Sequence, residues 1–131
     1  MDIQAVLKRK TPETRIAVVG ASGDPGKYGN IIVRNLSGKG YTVIPVNPKA
    51  ATIEDLAVAH SLAEVEHPVD LVVMVTPPAV TLGVLKEVAR LGLPAVWLQD
   101  GSFDDAVLEY TRTAPFQTVH HACVMVVSAY A

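Results

Sequence analysis

A strand-like run that leads into a glycine-rich loop most constrains how this chain can fold. Residues 15–19 read Arg-Ile-Ala-Val-Val, and a loop of mostly small residues follows over 20–29. A helical pattern begins near Tyr28, so the loop would join a strand to the start of a helix. Glycine lets backbone amides approach a ligand closely, and a helix start carries partial positive charge. The stretch therefore predicts a turn that binds phosphate.

The rest of the chain alternates strand-like and helix-like segments. Apolar runs bounded by Gly or Pro predict further strands at 41–46, 69–75, 95–99 and 116–120. Periodic apolar positions predict helices over 1–10, 28–38, 79–91 and 104–113, the last with Ser102 as its N-cap. Residues 52–65 indicate one short or broken helix. The apolar tail over 122–131 predicts either a closing helix or a surface that packs on another subunit.

Five strands that alternate with helices predict βαβ units, and therefore a parallel sheet with right-handed crossovers. We expect one doubly wound, Rossmann-like α/β domain over 1–131, with strand order 3-2-1-4-5 and helices on both faces. Residues 1–13 would form an N-terminal helix and linker, and 122–131 a closing segment. Ligands of such sheets lie beyond the carboxyl ends of the strands. The site should therefore be formed by the loops at 20–29, 46–49, 76–78 and 99–102.

Composition argues against several classes of function. The net charge is −2 and no basic stripe is present, so nucleic-acid binding is poorly supported. Cys123 is the single cysteine, which rules out an internal disulfide and is compatible with a reducing compartment. The chain has no N-terminal apolar signal region and no apolar run of about 18 residues. These observations predict a soluble, cytoplasmic protein.

The first two loops depart from the pattern of a dinucleotide site. Ser22 stands where G-x-G-x-x-G has its second glycine, and Asn47-Pro48-Lys49 follows the second strand in place of an acidic residue. Both departures count against NAD, although Lys49 would tolerate the 2′-phosphate of NADP. Lys27 and Lys49 instead bring positive charge to the expected phosphates. A G-x-x-x-x-G-K-[ST] loop is absent from the sequence, so ATP hydrolysis has no support.

Several motifs together resemble those of the small single-domain CoA-binding proteins. They are Gly20-Ala-Ser22, Pro25, Gly40-Tyr41, Val43-Ile-Pro-Val-Asn-Pro48, Val69-Asp-Leu71, Trp97-Leu-Gln-x-Gly101 and a late cysteine, Cys123. That family shares a Rossmann-like fold with the CoA-binding N-terminal domain of the succinyl-CoA synthetase alpha subunit. The resemblance covers residues 14–126. Pro-Val-Asn-Pro and Trp-Leu-Gln-x-Gly, in this order and at these separations, are its most specific parts.

The resemblance implies a CoA or acyl-CoA site built from four loops. The phosphates would contact Gly20, Ala21 and Ser22, with Pro25 shaping the turn and Lys27 and Tyr28 nearby. The adenosine and its 3′-phosphate would lie against Val46, Asn47, Pro48 and Lys49. The resemblance further implies that Thr76, Pro77 and Pro78 line the pocket, and that Gln99 and Gly101 face the pantetheine arm.

Two departures from the family limit what the resemblance implies. His120-His121-Ala122 stands where the family often has an acidic and a basic residue before its cysteine. The 131 residues do not include the second domain that carries the phosphorylated histidine in the synthetase alpha subunit. Synthetase activity is therefore not expected of this chain alone.

Among the reactive side chains, Cys123 has two interpretations. A free cysteine is most often a small buried hydrophobic residue. Alternatively, Cys123 forms a mixed disulfide with the CoA thiol or acts as a redox-sensitive nucleophile, with His120 or His121 favouring its thiolate.

Metal binding is not predicted. His120 and His121 are neighbours on a strand and would point to opposite faces, while His60 and His67 lack the spacing of metal ligands. Trp97 is expected to pack in the core, and no catalytic set can be assembled from the sequence.

We therefore predict a CoA or acyl-CoA binding module without catalytic machinery of its own. One alternative is a small NAD(P)-binding oxidoreductase or redox-sensing domain. Another is the CoA-binding subunit of an acyl-CoA synthetase that needs a partner chain. The predicted partner is the small molecule CoA, without nucleic acid or membrane, and a homodimer remains open. The sequence does not identify the acyl group.

Overall fold

Five parallel strands form the central sheet in the computed structural model, which describes residues 2–66 and 68–131. In chain order the strands are β1 (Arg15–Val19), β2 (Thr42–Val46), β3 (Thr52–Ile53), β4 (Leu56–Ala57), β5 (Leu71–Met74), β6 (Ala95–Leu98) and β7 (Gln117–Val119). Strands β3 and β4 form a separate hairpin. The helices are α1 (Ile3–Lys8), α2 (Tyr28–Gly38), α3 (Pro78–Leu91), α4 (Asp105–Thr111) and α5 (Val124–Tyr130), and Leu62–Glu64 forms a 3-10 turn.

Both faces of the sheet are buried, which explains why its strands are nearly continuous apolar runs. Along β1, Ile16 and Val18 point to one face and Ala17 and Val19 to the other. The first face packs against α1, α2 and α5, through Ile3, Leu7, Ile32, Leu36 and Val124. The second face packs against α3 and α4, through Leu85, Val88 and Val107. The predicted doubly wound, Rossmann-like α/β fold is confirmed.

The predicted order of the strands is wrong. The sheet has the order β2-β1-β5-β6-β7, so β1 lies between β2 and β5. The predicted order 3-2-1-4-5 counts only the strands of this sheet, and it would place β2 between β1 and β5. The segment that follows β2 turns back along its outer edge, where Ala59 N donates to Pro45 O at 3.0 Å and Asn47 N donates to Ala59 O at 3.0 Å. Because that edge is occupied, the next strand pairs with the free edge of β1, as in Ala17↔Val72.

The helix predicted over 52–65 is also wrong. The chain forms the β3–β4 hairpin there, with Glu54 and Asp55 at φ of 50° and 63° in its two-residue turn, and then the 3-10 turn. Ile53 is buried against the same core as α2, and Leu56 packs at its border. This tertiary packing overrides a local pattern that has no glycine to mark the turn.

Most other boundaries agree with the predictions. β1 and α2 have the predicted ends, the other sheet strands are one to three residues shorter, and the tail forms the closing helix α5. Ser102 does not cap α4: Asp104 does, because its Oδ1 accepts from Val107 N at 3.0 Å. Ser102 instead donates its hydroxyl to Gln99 O at 2.6 Å. Trp97 is buried in the core as predicted. Across the described residues, no helix is both long and apolar enough to cross a membrane.

Gly29, at the start of α2, packs directly on the loop that precedes the helix. A Cβ at this position would lie 2.1 Å from Gly20 O and 3.2 Å from Ala21 Cα. We expect Gly29→Ala to lower the free energy of unfolding by about 1–3 kcal/mol, because the helix must shift away from the end of β1. Urea denaturation measures this change.

Gly83→Ala is the matched control, because Gly83 lies within α3 with open space around its Cα. That substitution should raise the free energy of unfolding by about 0.5–1 kcal/mol, since alanine loses less entropy than glycine in a helix. Equal stabilities of Gly29→Ala and the unsubstituted protein would contradict the packing described for the start of α2.

Candidate functional site

The loops after β1 and β5 meet at the carboxyl edge of the sheet. Gly20 has φ +94°, and a Cβ there would lie 2.8 Å from Val75 O and 3.0 Å from Thr76 Cγ2. β1 continues into α2 on one face of the sheet, and β5 continues into α3 on the other face. This divergence of neighbouring crossovers is the topological switch point at which doubly wound sheets bind ligands.

The loop between β1 and α2 is held by short polar contacts of its own residues. Ser22 Oγ accepts from Asp24 N at 3.0 Å, and Asp24 Oδ1 accepts from Gly26 N at 2.9 Å. The hydroxyl of Ser22 keeps its proton available for donation, because it acts here as an acceptor. Lys27, the N-cap residue of α2, is in extended conformation, and its side chain makes no capping hydrogen bond. The helix start therefore keeps its ability to attract an anion.

Asn30 is not among the predicted site residues, yet its side chain holds the loop between β1 and α2 in place. Its fully buried amide donates from Nδ2 to Ser22 O at 3.0 Å and to Glu54 Oε2 at 3.3 Å. Its Oδ1 accepts from Arg34 Nε at 2.7 Å, and Arg34 Nη2 donates to Pro25 O at 3.1 Å. A signal was available in the sequence, because Asn30 stands three positions before the apolar Val33 and so shares a face of the predicted helix with it.

Asn47 joins the loop after β2 to the loop after β1. Its Nδ2 donates to Ala21 O at 2.9 Å, while Oδ1 accepts from Lys49 N at 2.8 Å and from Ala50 N at 3.0 Å. The amide is thus occupied in shaping the two loops. The side chain of Lys49 is exposed, as are Lys27 and Pro25.

A cavity of about 240 Å³ opens beside the meeting point of the two loops. Its wall includes the predicted residues Gly20, Val46, Pro48 and Thr76. It also includes residues that were not predicted: Val19, His60, Ser61, Leu62, Val80, Val84 and Glu87. Val19 is the last residue of β1, and the others come from α3 and from the segment that turns back along β2, which no local pattern could bring to the site. Most of the wall is apolar, as is usual for sites that bind flat organic groups.

The third predicted loop begins α3. Thr76 Oγ1 lies 2.7 Å from Thr81 Oγ1, and Pro77 and Pro78 are the N-cap and the first residue of the helix. Proline suits the first helical position, because its missing N–H would have no partner there. Of these three residues, Thr76 is the one that contributes to the cavity wall.

A second, smaller cavity of about 80 Å³ lies at the same edge, lined by Tyr28, Val75, Gln99, Asp100 and Cys123. The structure thus brings the predicted Tyr28, Gln99 and Cys123 together. Gln99 is buried, its Oε1 accepts from Val124 N at 2.8 Å, and its Nε2 donates to Cys123 Sγ at 3.5 Å. Gly101, with φ +87°, forms the turn after Gln99 and does not line this cavity. Cys123 is half-buried.

The expectation that His120 and His121 point to opposite faces is wrong. β7 ends at Val119, and His121 has φ 59°, which brings both rings to the same side. Their ring centroids lie 4.5 Å apart with the two Nδ1 atoms in contact, and Phe103 packs on both rings. Within 2–66 and 68–131, no three His, Cys, Asp or Glu side chains are grouped as metal ligands. His67 lies outside the described residues.

Comparison with known proteins confirms the family expected from the motifs. The model of a family described as a CoA binding domain matches residues 14–129, so this chain belongs to that family of CoA-binding domains. It is 27% identical over 128 residues to the uncharacterized protein YneT of Bacillus subtilis, and the matched region covers 98% of this chain and 93% of YneT. A solved structure of a conserved hypothetical protein from Pyrococcus furiosus is 40% identical, with a TM-score of 0.83 over 86% of this chain and 97% of that one.

A larger enzyme subunit contains a similar region. The chain is 33% identical over 111 residues to the alpha subunit of the ADP-forming acetate–CoA ligase I of Pyrococcus furiosus. The match covers 80% of this chain and 23% of that subunit, so the chain corresponds to less than a quarter of its length.

The contacts of Asn30 predict how the loop after β1 responds to a substitution. Asn30→Leu should lower the free energy of unfolding by about 1–3 kcal/mol, because Ser22 O and the carboxylate of Glu54 lose a buried donor. Chemical denaturation measures the stability, and hydrogen exchange should become faster over residues 20–29.

Asn35→Leu on the same helix is the matched control. The Oδ1 of Asn35 is buried without a hydrogen-bond partner among the described residues, so its replacement should leave stability nearly unchanged or raise it. Equal effects of the two substitutions would contradict the role given to Asn30.

Proposed function

We propose that this protein binds CoA or an acyl-CoA at the carboxyl edge of its sheet and acts as a binding module without catalytic residues of its own. The observation that carries the proposal is the meeting of the Gly20 and Thr76 loops at the switch point, beside the larger cavity. Membership of the CoA-binding domain family supports CoA as the ligand.

The phosphates of CoA would lie against the loop after β1. The backbone amides of Ala21 and Ser22, the hydroxyl of Ser22 and the start of α2 offer donors to a diphosphate. Gly20 would allow the ligand to approach closely because it has no side chain, while its own amide donates to Val46 O at 3.3 Å. Lys27, the residue before the helix, adds a positive charge. Pro25 accepts from Arg34 through its carbonyl and so helps to keep the loop in this shape.

The adenosine would occupy the larger cavity. Its apolar wall, which includes Val46, Pro48 and Leu62, suits a flat base, and the exposed Lys49 would approach the 3′-phosphate from the loop after β2. Asn47 would act indirectly, because its amide already holds the loops together. In NAD sites an acidic residue after the second strand binds the hydroxyls of the adenosine ribose, and such a carboxylate would repel the 3′-phosphate of CoA. Asn47-Pro48-Lys49 stands at that position here, in agreement with CoA.

The pantetheine arm would run toward the smaller cavity. Gly20 belongs to the wall of the larger cavity and Val75 to the wall of the smaller one, and the backbones of these two residues are in contact. The arm would pass the turn at Gly101 and end near Gln99 and Cys123.

Isothermal titration with CoA, NAD and NADP tests this proposal against the alternative of an NAD(P)-dependent oxidoreductase or redox-sensing domain. We expect heat of binding with CoA and none with NAD or NADP at equal concentrations. Binding of NAD or NADP without a response to CoA would overturn the proposal.

Lys49→Ala should weaken CoA binding about threefold to tenfold, because an exposed charge pair contributes on the order of 1 kcal/mol. Its melting temperature should remain that of the unsubstituted protein, since Lys49 is exposed and makes its loop contact through its backbone amide. Lys86→Ala, an exposed lysine of α3, is the control and should bind CoA normally. An unchanged CoA affinity in Lys49→Ala would show that the loop after β2 does not contact the phosphates of CoA.

Cys123 should form a mixed disulfide when the protein is incubated with CoA disulfide. Its thiolate would attack one sulfur of the reagent, form a new S–S bond and release the second CoA as a thiolate that takes up a proton. Intact-mass spectrometry would detect one CoA adduct, and Cys123→Ser should carry none. Absence of an adduct on the unsubstituted protein would show that Cys123 does not lie within reach of the CoA thiol.

A second candidate function is that of a subunit that acts with a partner chain in acyl-CoA synthesis. The similarity to the alpha subunit of an ADP-forming acetate–CoA ligase favours it. A synthetase partner subunit that co-purifies with this protein, and forms acyl-CoA only in its presence, would support this function. Failure to form acyl-CoA with such a subunit would leave the binding module as the better description.

A further inference from the structure

Helix α5 follows the smaller cavity directly, because Cys123 is the residue before its first turn. Gln99 Oε1 accepts from Val124 N at 2.8 Å, and Trp97 Nε1 donates to Ala122 O at 2.8 Å. Two side chains of the β6 region therefore hold the segment on either side of Cys123. The position of the sulfur in the cavity wall depends on how α5 docks.

Helix α5 is also held by Lys39, the residue that follows α2. Lys39 Nζ donates to Met125 O at 2.6 Å and to the hydroxyl of the fully buried Ser128 at 2.7 Å. Lys10 adds a contact from its Nζ to Ala131 O at 3.1 Å. Burial, and then repulsion from Lys10, lowers the pKa of Lys39. Two lysines that repel each other therefore donate to this segment, Lys39 to α5 itself and Lys10 to the residue that follows it.

Both apolar and polar contacts dock α5. The helix has seven residues, too few to be stable by itself. Val124 is fully buried in the core, and Met125 and Val127 are partly buried against it. The polar contacts from Gln99 and Lys39 add to this packing.

We propose that Lys39 is a positioning residue for the thiol end of the ligand site, acting through α5 on Cys123 and on the amide of Gln99. This inference rests on the proposed function, in which the pantetheine arm ends at the smaller cavity. Lys39 itself lines neither the larger nor the smaller cavity. Docking of α5 and binding of the arm are then coupled, and each strengthens the other by the same factor.

Comparing the affinities for two ligands distinguishes a positioning role of Lys39 from a general loss of structure. CoA carries the pantetheine arm, whereas adenosine 3′,5′-bisphosphate has the adenosine and the 3′-phosphate without the arm. Lys39→Met should weaken CoA binding about threefold to tenfold and change the affinity for the bisphosphate less than about twofold. Lys86→Met, the same substitution at an exposed position of α3, should change neither affinity.

Hydrogen exchange on the unsubstituted protein gives a second readout that needs no variant. CoA should slow exchange of the amides of α5, including that of Val124, and the bisphosphate should leave them unchanged. If Lys39→Met does not fold, Ser128→Ala takes its place, because it removes one of the two acceptors of Lys39. Ser128→Ala should lose less affinity for CoA than Lys39→Met, and it should bind the bisphosphate normally.

Different failures of the experiment have different meanings. Normal CoA affinity in Lys39→Met, or an equal loss for both ligands, would overturn the positioning role and leave the proposed function intact. Unchanged exchange of α5 on CoA binding would overturn it as well. If the unsubstituted protein binds the bisphosphate and CoA equally, the arm makes no contact at the smaller cavity and the inference fails. If it binds neither, the proposed function fails and this inference fails with it.

Discussion

The close approach of backbone segments at the carboxyl end of β1 is the contact on which the rest of the site depends. Gly20 lies against Val75 and Thr76 of the neighbouring strand end, and Gly29 brings the start of α2 onto the carbonyl of Gly20. Any side chain at either glycine would separate these segments. Because β1 and β5 send their crossovers to opposite faces at this point, the contact defines the crevice and the edges of both cavities.

Uncharged amide side chains hold the loops around that contact. Asn30 supports the loop after β1, Asn47 ties it to the loop after β2, and Gln99 ties the end of β6 to α5. An amide both donates and accepts, so it can bridge two backbone segments without the cost of burying a charge. The lysines proposed to meet phosphates, Lys27 and Lys49, remain at the surface. The side chains that shape the site are therefore mostly different from those proposed to contact the ligand.

The sequence predicts well what local patterns determine. The ends of β1 and α2 follow from a β-branched run, a glycine and an amphipathic period, and the motifs around Asn47 and Gln99 indicate the family. The predicted strand order is wrong because the order depends on the segment after β2. That segment covers the outer edge of β2, and no local sequence pattern indicates this contact. His60 and Leu62 reach the cavity for the same reason. The roles of Asn47 and Gln99 are likewise set by contacts with distant residues.

A crystal structure of the protein with CoA would show where the ligand binds. We expect the diphosphate on the backbone of Gly20 to Ser22 at the start of α2, with the adenine in the cavity bounded by Val46 and Leu62. The thiol should lie beside Gln99 and Cys123. CoA bound away from the carboxyl edge of β1 and β5, or no CoA in crystals grown at saturating ligand, would contradict the proposed CoA site.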